Sequence, residues 1–578
     1  MKTVFVSLNS KYSHTSLALR YLKEYCRQYN IETSIEEFTI NHNLDKVVAD
    51  LYLLNADIYG FSTYIFNLEN ILDAIHDLKK LRPNAIIFCG GPEVSYDYMD
   101  LLKNNPEIDF IIRGEGEQSV YDFLHRAKEE NIINLKDSIY NKEVKGVSFL
   151  FKGELVECSD SAPFCDLDKI PFPYADNNDL ENIKEKILYY ESSRGCPFNC
   201  SYCMSSLEKK VRAFSLDRVF VDLKTLIDVK ARQVKFVDRT FNYDKKRALQ
   251  ILKFINKHDN GYTNFHFEIA AWLLDEETLD FLDTVREGLF RFEIGIQSTN
   301  KDTLKAINRN IEINSMKDII LRLHKSPVHV HCDLIAGLPY ENLNSFAISF
   351  DEVMTLAPEM FQLGFLKILK GTEISLQDEH EYIYSKKPPY EVMKNKYISY
   401  DEIIRLKHIE EVVERYYNGN LGKNTIDFIV KNKFDGSFFL FYNSYSQYLL
   451  EKGFFEISHR YSTLFDFLHS YINIIFNDNN LILIAENFLA FDLYSYGKVH
   501  NPPYWLKNLP EKDELRNLLS NIKNFADKIP LLKKESFDKE KDKKWLRYMD
   551  IVCFNFGPEQ ENEKRLFVYA EKPDVIPL

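Results

Sequence analysis

Twice along this chain, short β-rich runs alternate with amphipathic helical stretches, a pattern made by parallel sheets covered on both faces. In the first series residues 3–7, 32–38, 58–62, 85–89 and 110–112 read as strands with helices between them, which predicts a doubly wound, Rossmann-like parallel sheet. Six further β-α units follow, with strands at 187–191, 234–238, 265–270, 290–296, 328–336 and 361–368. Six sequential units predict a partial β/α TIM-like barrel, whose chemistry collects at the C-terminal ends of its strands. Between the two series the chain is less regular, with a hairpin around 146–155 and Pro163, Pro171 and Pro173 near its end. Beyond the barrel the pattern turns helical: over 400–417, Ile403, Ile404, Ile409, Val412, Val413, Tyr416 and Tyr417 form a broad apolar face. The expected division is therefore a doubly wound domain over 1–135, a linker over 136–182, a partial barrel over 183–375 and a mainly helical domain over 376–578. In the last of these the charged run 539–544 reads as a solvated linker, and runs 548–556 and 565–570 as a terminal hairpin.

A chain of 578 residues is long for one hydrophobic core, and 45 % apolar with 28 % charged residues is an ordinary globular balance. The net charge of -14 is spread along the chain and argues against a long basic groove for nucleic acid. No window approaches the roughly 20 apolar residues of a membrane-spanning helix. Residues 1–7 lead into a strand and lack the apolar core of a signal peptide, so a cytoplasmic protein is expected. The nine cysteines are scattered except for one tight trio, which fits a reducing compartment in which clustered thiols serve a metal or redox site.

That trio lies in Arg194-Gly195-Cys196-Pro197-Phe198-Asn199-Cys200-Ser201-Tyr202-Cys203, a CxxxCxxC loop directly after the first barrel strand. Thiolates suit iron in a sulfide cluster. Three of them hold three irons of a cubane and leave the fourth open to the amine and carboxylate of a methionine group. A structural zinc site is the alternative, and it requires a fourth ligand folded back from elsewhere, such as His258 or a distant cysteine.

Over about residues 187–372 this sequence resembles the radical S-adenosylmethionine (SAM) superfamily. The resemblance implies a 4Fe-4S cluster on Cys196, Cys200 and Cys203, and SAM contacts at Tyr202, at Asp238, Arg239 and Thr240 after the second strand, and at Glu268 on the third. It extends to Gln297 after the fourth strand, Arg309 beyond it and Asp333 before the Gly337-Leu338-Pro339 turn. The Asp238 segment departs from the family's Gly-Gly-Glu version.

The first domain resembles the cobalamin-binding class through Gly90-Gly91-Pro92-Glu93 and Arg113-Gly114-Glu115-Gly116-Glu117. That likeness implies cobalamin contacts among Asn9, Ser13, His14, Ser62, Thr63, Gly90, Gly91, Glu93, Gly114 and Glu115. Residues 9–14 lack the AspxHisxxGly of proteins that ligate cobalt through histidine, so a lower face without a protein histidine is expected. Together the resemblances imply reductive SAM cleavage to a 5′-deoxyadenosyl radical, methyl transfer from cobalamin to an unactivated carbon, and an electron donor such as flavodoxin or ferredoxin. Radical cyclisation or rearrangement and a non-catalytic corrinoid or redox sensor are the alternatives. A tRNA-methylthiolating enzyme fits less well, because Cys26 and Cys89 are isolated; Cys332 reads as a packed strand cysteine. The substrate itself is not legible.

Overall fold

The computed structural model describes residues 1–130, 134–161, 163–520, 549–557, 563–569 and 573–577. They form two compact units, Met1–Asn342 with Phe365–Ser399, and Leu343–Gly364 with Tyr400–Leu578.

The first unit begins with a parallel sheet of β1 (Thr3–Asn9), β2 (Ser34–Thr39), β3 (Ile58–Ser62), β4 (Ile86–Gly90) and β5 (Phe110–Ile112), side by side in the order β2-β1-β3-β4-β5. β1 is buried along its whole length. Its alternate side chains feed two cores: Val4, Val6 and Leu8 pack with Leu51, Ile71 and Ile75, while Phe5 packs with Leu19, Ile58 and Phe123. Cys89 belongs to the first core and Cys26 to the second, as expected of core thiols. The hairpin expected in the linker, β6 (Val147–Phe151) and β7 (Glu154–Glu157), instead extends this sheet, β6 running antiparallel to β5. The order reverses between β1 and β3, which opens a crevice beyond the strands' carboxyl ends.

β8 (Ile187–Tyr190) starts the barrel and is followed by a short antiparallel pair, β9 (Ser193–Arg194) and β10 (Arg212–Ala213), whose connection carries the three cysteines. β11 (Gln233–Phe236), β12 (Asn264–Ile269), β13 (Phe290–Gln297) and β14 (His329–Ala336) then add in chain order, each parallel to its neighbour. The sixth expected strand is present as β15 (Met360–Phe365), which lies largely in the second unit, and just beyond it Leu366 N–H donates to Ala336 O. The outward residues of β13 and β14 are buried against helices, whereas the alternate positions, Arg291, Glu293, Gly295 and Gln297 on β13 and His329, His331 and Asp333 on β14, are only half-buried. An open parallel barrel thus has an apolar jacket and a polar lumen.

In the second unit the helix expected over 400–417 runs Tyr400–Val413 and ends in a π turn, Glu414–Asn418. Helices Lys423–Lys433, Phe438–Glu451, Tyr461–Ile475 and Asn479–Tyr496 pack around an aromatic core that includes Tyr416, Phe441, Tyr442 and Tyr445. The terminal hairpin is present as Met549–Phe554 against Glu563–Tyr569, and a third strand, Pro573–Pro577, widens it to a sheet. The charged run 539–544 lies outside the described residues.

Candidate functional site

The cysteine loop is tied down from both sides. Cys196 N–H donates to Glu208 O at 3.1 Å, Ser201 N–H to Ile307 O at 3.1 Å, and Ile374 N–H to Ser201 O at 2.9 Å. Gly195 turns at φ +90°, and a Cβ there would stand 2.5 Å from Lys210 O, so only glycine admits this neck. Cys196 and Cys200 are buried and Cys203 is partly exposed. Cys200 Sγ accepts from Arg309 at 3.6 Å, and Cys196 Sγ lies 3.6 Å from Thr240 Oγ1. Among the described residues no three His, Cys, Asp or Glu gather as a single metal ion needs. Three spaced thiols on one loop suit a polynuclear cluster, which takes one sulfur per iron, whereas a closed zinc site takes four ligands.

Above the loop, Arg309 also donates to Gly295 O and stacks over Trp272, whose ring meets Phe198 edge-on at 5.6 Å. Gln297 has φ +72° beside a bulge in the β13–β14 register, and its amide folds back over Gly295, where a Cβ would be 2.2 Å from Nε2. Gln297 Oε1, Arg309 Nε and Asp333 Oδ1 are buried with no partner. Buried polar atoms of this kind call for a guest. Tyr202 sits in the loop, and burial pushes its hydroxyl well above the ordinary range. Burial, with Glu293 adding to it, raises the Glu268 carboxyl to about 7. Asp333 is pushed well up by burial, reinforced by Glu293 and Glu268. Asp238 is buried and engaged within the protein: Ser192 N–H and the Ser192 and Ser193 hydroxyls, at 2.6–2.8 Å, take both its oxygens. Arg239 is exposed.

At the carboxyl edge of the N-terminal sheet, Thr63 N–H and Oγ1 both donate to Gly90 O at 2.8 Å. Gly91, at φ +118°, brings its backbone so close that a Cβ would be 2.4 Å from Thr63 O. Ser62 is buried beside them. Gly114, at φ +72°, has no heavy atom within 4 Å of a Cβ position, so this loop borders open space. The other candidates are engaged within the protein. Asn9 bonds Ser7, His14 O and Glu37; Ser13 O accepts from Ile187; His14 Nδ1 meets Tyr189 Oη at 2.8 Å. Glu93 takes the Tyr390 hydroxyl, and Glu115 takes Arg212 and the Phe164 N–H.

The family model described as B12 binding domain matches residues 3–124, that of the Radical SAM superfamily matches 190–353, and Protein of unknown function (DUF4080) matches 378–568. This chain belongs to the cobalamin-binding radical SAM family. It is 23 % identical over 406 residues to an uncharacterized methyltransferase of Pyrococcus horikoshii, covering 68 % of this chain and 83 % of that one. It is 21 % identical over 488 residues to the 2-(S-pantetheinyl)-carbapenam-3-carboxylate methyltransferase of Streptantibioticus cattleyicolor, covering 77 % and 69 %. The structure of the cobalamin-dependent S-adenosylmethionine radical enzyme OxsB, with aqua-cobalamin and S-adenosylmethionine bound, superimposes with a TM-score of 0.58 at 15 % identity, covering 94 % of this chain and 83 % of that one. At that identity the likeness speaks for the fold.

As a radical SAM enzyme of this family the protein uses a 4Fe-4S cluster, SAM and cobalamin, and takes electrons from an external reductant. The residues present fit these groups: three thiols on one braced loop, unpartnered donors and acceptors above them, and a glycine-lined sheet edge facing open space. Among the described residues no helix is long and apolar enough to cross a membrane.

Sequence reasoning missed the lower lumen of this radical SAM barrel. Lys235 and His266 both contact Glu293, at 3.1 and 3.0 Å. Burial works against the Glu293 charge, yet these two partners hold its carboxyl at about 2. Next to Glu293 in register stands His331, whose Nε2 is buried without a partner. The usable signal was the polar residue at every second position of β13 and β14, which a jacket-and-lumen barrel requires. Burial, with His266 and His329 adding to it, lowers the His331 pKa from 6.5 to about 3. Between those values the unfolded chain binds a proton that the fold refuses. The associated stability is complete above about pH 6.5 and is lost as pH falls toward 3, by about 2 kcal/mol between pH 6.5 and 5. Urea midpoints of wild type and His331→Gln at pH 6.5 and 5 check this. The variant should lack that increment; an unchanged pH dependence would count against a neutral buried imidazole.

Proposed function

We propose that this enzyme transfers a methyl group from SAM, by way of cobalamin, to an unactivated carbon of its substrate. The observation that carries the reading is the presence, in one compact unit, of a glycine-lined sheet edge bordering open space and a three-thiol loop beneath unpartnered polar atoms. The methyltransferases among its relatives support the same choice. When bound, the cluster and cobalamin supply one-electron cleavage of SAM and a methyl-carrying corrinoid.

The chain's own residues bind and orient. Cys196, Cys200 and Cys203 would hold the cluster, with SAM binding beside it. Arg309, whose Nη groups are taken by Cys200 and Gly295 O, would offer its unpartnered Nε–H to the SAM carboxylate, and Gln297 and Asp333 would present their unpartnered oxygens to its amine and ribose groups. Glu268 faces the same mouth, Tyr202 packs near the base, and Thr240 stands beside Cys196. Phe198 and Trp272 wall the mouth with aromatic surface and exclude water. Ser62, Thr63, Gly90, Gly91 and Gly114 line the cobalamin face. Asp238 acts from behind, fixing Ser192 and Ser193 at the entrance to the cysteine loop. The electron donor is a flavodoxin or ferredoxin of the cytoplasm.

The test needs no substrate. Anaerobic, reduced holoenzyme is incubated with hydroxocobalamin and SAM bearing a trideuterated methyl group. Deuterated methyl on the corrinoid, S-adenosylhomocysteine in equal amount, and separate formation of 5′-deoxyadenosine are expected. Deoxyadenosine formed while the corrinoid stays unlabelled would point to rearrangement and sink methyl transfer.

A further inference from the structure

The two strands at the neck of the cysteine loop place Arg194 and Arg212 directly opposite one another. Like charges facing each other across an antiparallel pair destabilise it. Here both guanidiniums are largely buried, with 9 % and 8 % side-chain exposure, so the conflict is not screened by water. It is resolved from the corrinoid-binding domain. Glu115 reaches both arginines, Arg212 through one oxygen and Arg194 at 3.5 Å through the other, while Glu117 pairs with Arg194 at 2.6 Å. Glu191 and Glu208, on the barrel side, add one contact to each arginine. Phe164 closes the group, its N–H donating to Glu115 and its carbonyl accepting from Arg212.

The same turn has a second face. Gly114, one residue before Glu115, borders the open space at the sheet edge. Arg113, one residue earlier, is anchored to Cys158 O at 2.7 Å and to Asp160. A short, anchored turn therefore carries the cobalamin-facing glycine and the carboxylate that neutralises the cysteine-loop neck, with no intervening residue to absorb a displacement.

We propose that Glu115 and Glu117 are positioning residues that couple the two cofactor sites: by holding Arg194 and Arg212 at the loop neck, they make cobalamin on the Gly114 turn and SAM at the cluster each tighten binding of the other. The proposal rests on the cofactor assignment above, and it takes Glu115 from the cobalamin contacts to the cluster side. Coupling between sites is reciprocal, so one factor describes both directions. A merely structural ion cluster would lower stability when broken but leave that factor unchanged.

The experiment uses the full chain, anaerobically reconstituted, with iron content measured for every sample. SAM affinity is determined by equilibrium dialysis with and without hydroxocobalamin, and hydroxocobalamin affinity with and without SAM. In wild type each ligand should tighten the other about fivefold or more, the low end of typical coupling. In Glu115→Gln the factor should fall to near one, and in Glu117→Gln to an intermediate value. A wild-type factor of one, or variants that keep the wild-type factor, would overturn the proposal. Should Glu115→Gln fail to take up iron, Glu117→Gln, which leaves the Arg212–Glu115 pair in place, decides alone, and a wild-type factor there overturns it. Wild type that binds neither ligand would instead refute the cofactor assignment, and the coupling with it.

Discussion

Cys200→Ala should abolish SAM cleavage while leaving the fold in place. Cys200 is the central thiol of the trio, buried, and the one whose sulfur accepts from Arg309. Two remaining thiols can ligate only two irons, so the cluster is expected to be lost or unstable, with brown absorption and about four irons per chain falling together. Without it, breaking a carbon–sulfur bond of SAM has no electron source. The rate should drop by about 10⁴-fold or more, a modest share of what enzymes supply over background reactions. The loop should survive, because its neck is set by Gly195, by the Cys196–Glu208 and Ser201–Ile307 backbone bonds, and by Arg194 and Arg212 rather than by the sulfur. Iron analysis, absorption spectra and 5′-deoxyadenosine formation check this. A variant that retains iron and cleaves SAM would overturn the ligand assignment, and one that unfolds the whole chain would point to a structural metal.

The largest stability effect is expected at Arg20, far from the cluster. This side chain is 2 % exposed and bridges Glu37 at 2.9 Å and Asp179 at 2.9 Å, joining the first helix of the N-terminal sheet to β2 and to the segment that leads into the barrel. Burial works against the Glu37 charge, yet Arg20, Asn9 and the Ser16 N–H hold its carboxyl below the usual range. Arg20→Ala leaves Glu37 buried and without its cation. Removing one partner of a buried pair costs about 3–5 kcal/mol, more than the pair itself contributes over an apolar substitute. The loss should appear as a lowered urea midpoint at pH 7. It should shrink toward pH 4, where the variant's carboxylate is protonated, although wild type also loses the Glu37 contribution as pH falls through its lowered pKa. A variant as stable as wild type at pH 7 would show that Arg20 merely fills space.

Much of the architecture was legible because it is local. β3 and β5 fall where their apolar runs predicted, since strand patterns reflect burial of successive residues. The hairpin over 146–155 was found, but its destination was not: joining β5 depends on hydrogen bonds to a strand about 35 residues away in sequence, which no local period encodes. The candidate SAM residues divide in the same way. Gln297, Arg309 and Asp333 converge above the cysteine loop with unpartnered atoms, whereas Asp238 is consumed by Ser192 and Ser193, and Arg239 is exposed while its charge reaches Glu268. Nothing in a run such as Asp238-Arg239-Thr240 tells which side chain the turn will aim inward.

By itself the sequence determined the order of two α/β series and the spacing of three thiols, because backbone periodicity and short-range ligation need only neighbouring residues. Tertiary structure alone decided that Lys235, His266, Glu293 and His331 share one lumen and that Glu115 serves two arginines on a different sheet. Those arrangements depend on strand register and on charges brought together across about 80 to 100 residues of chain, where burial strengthens each pair and strands any group left without one.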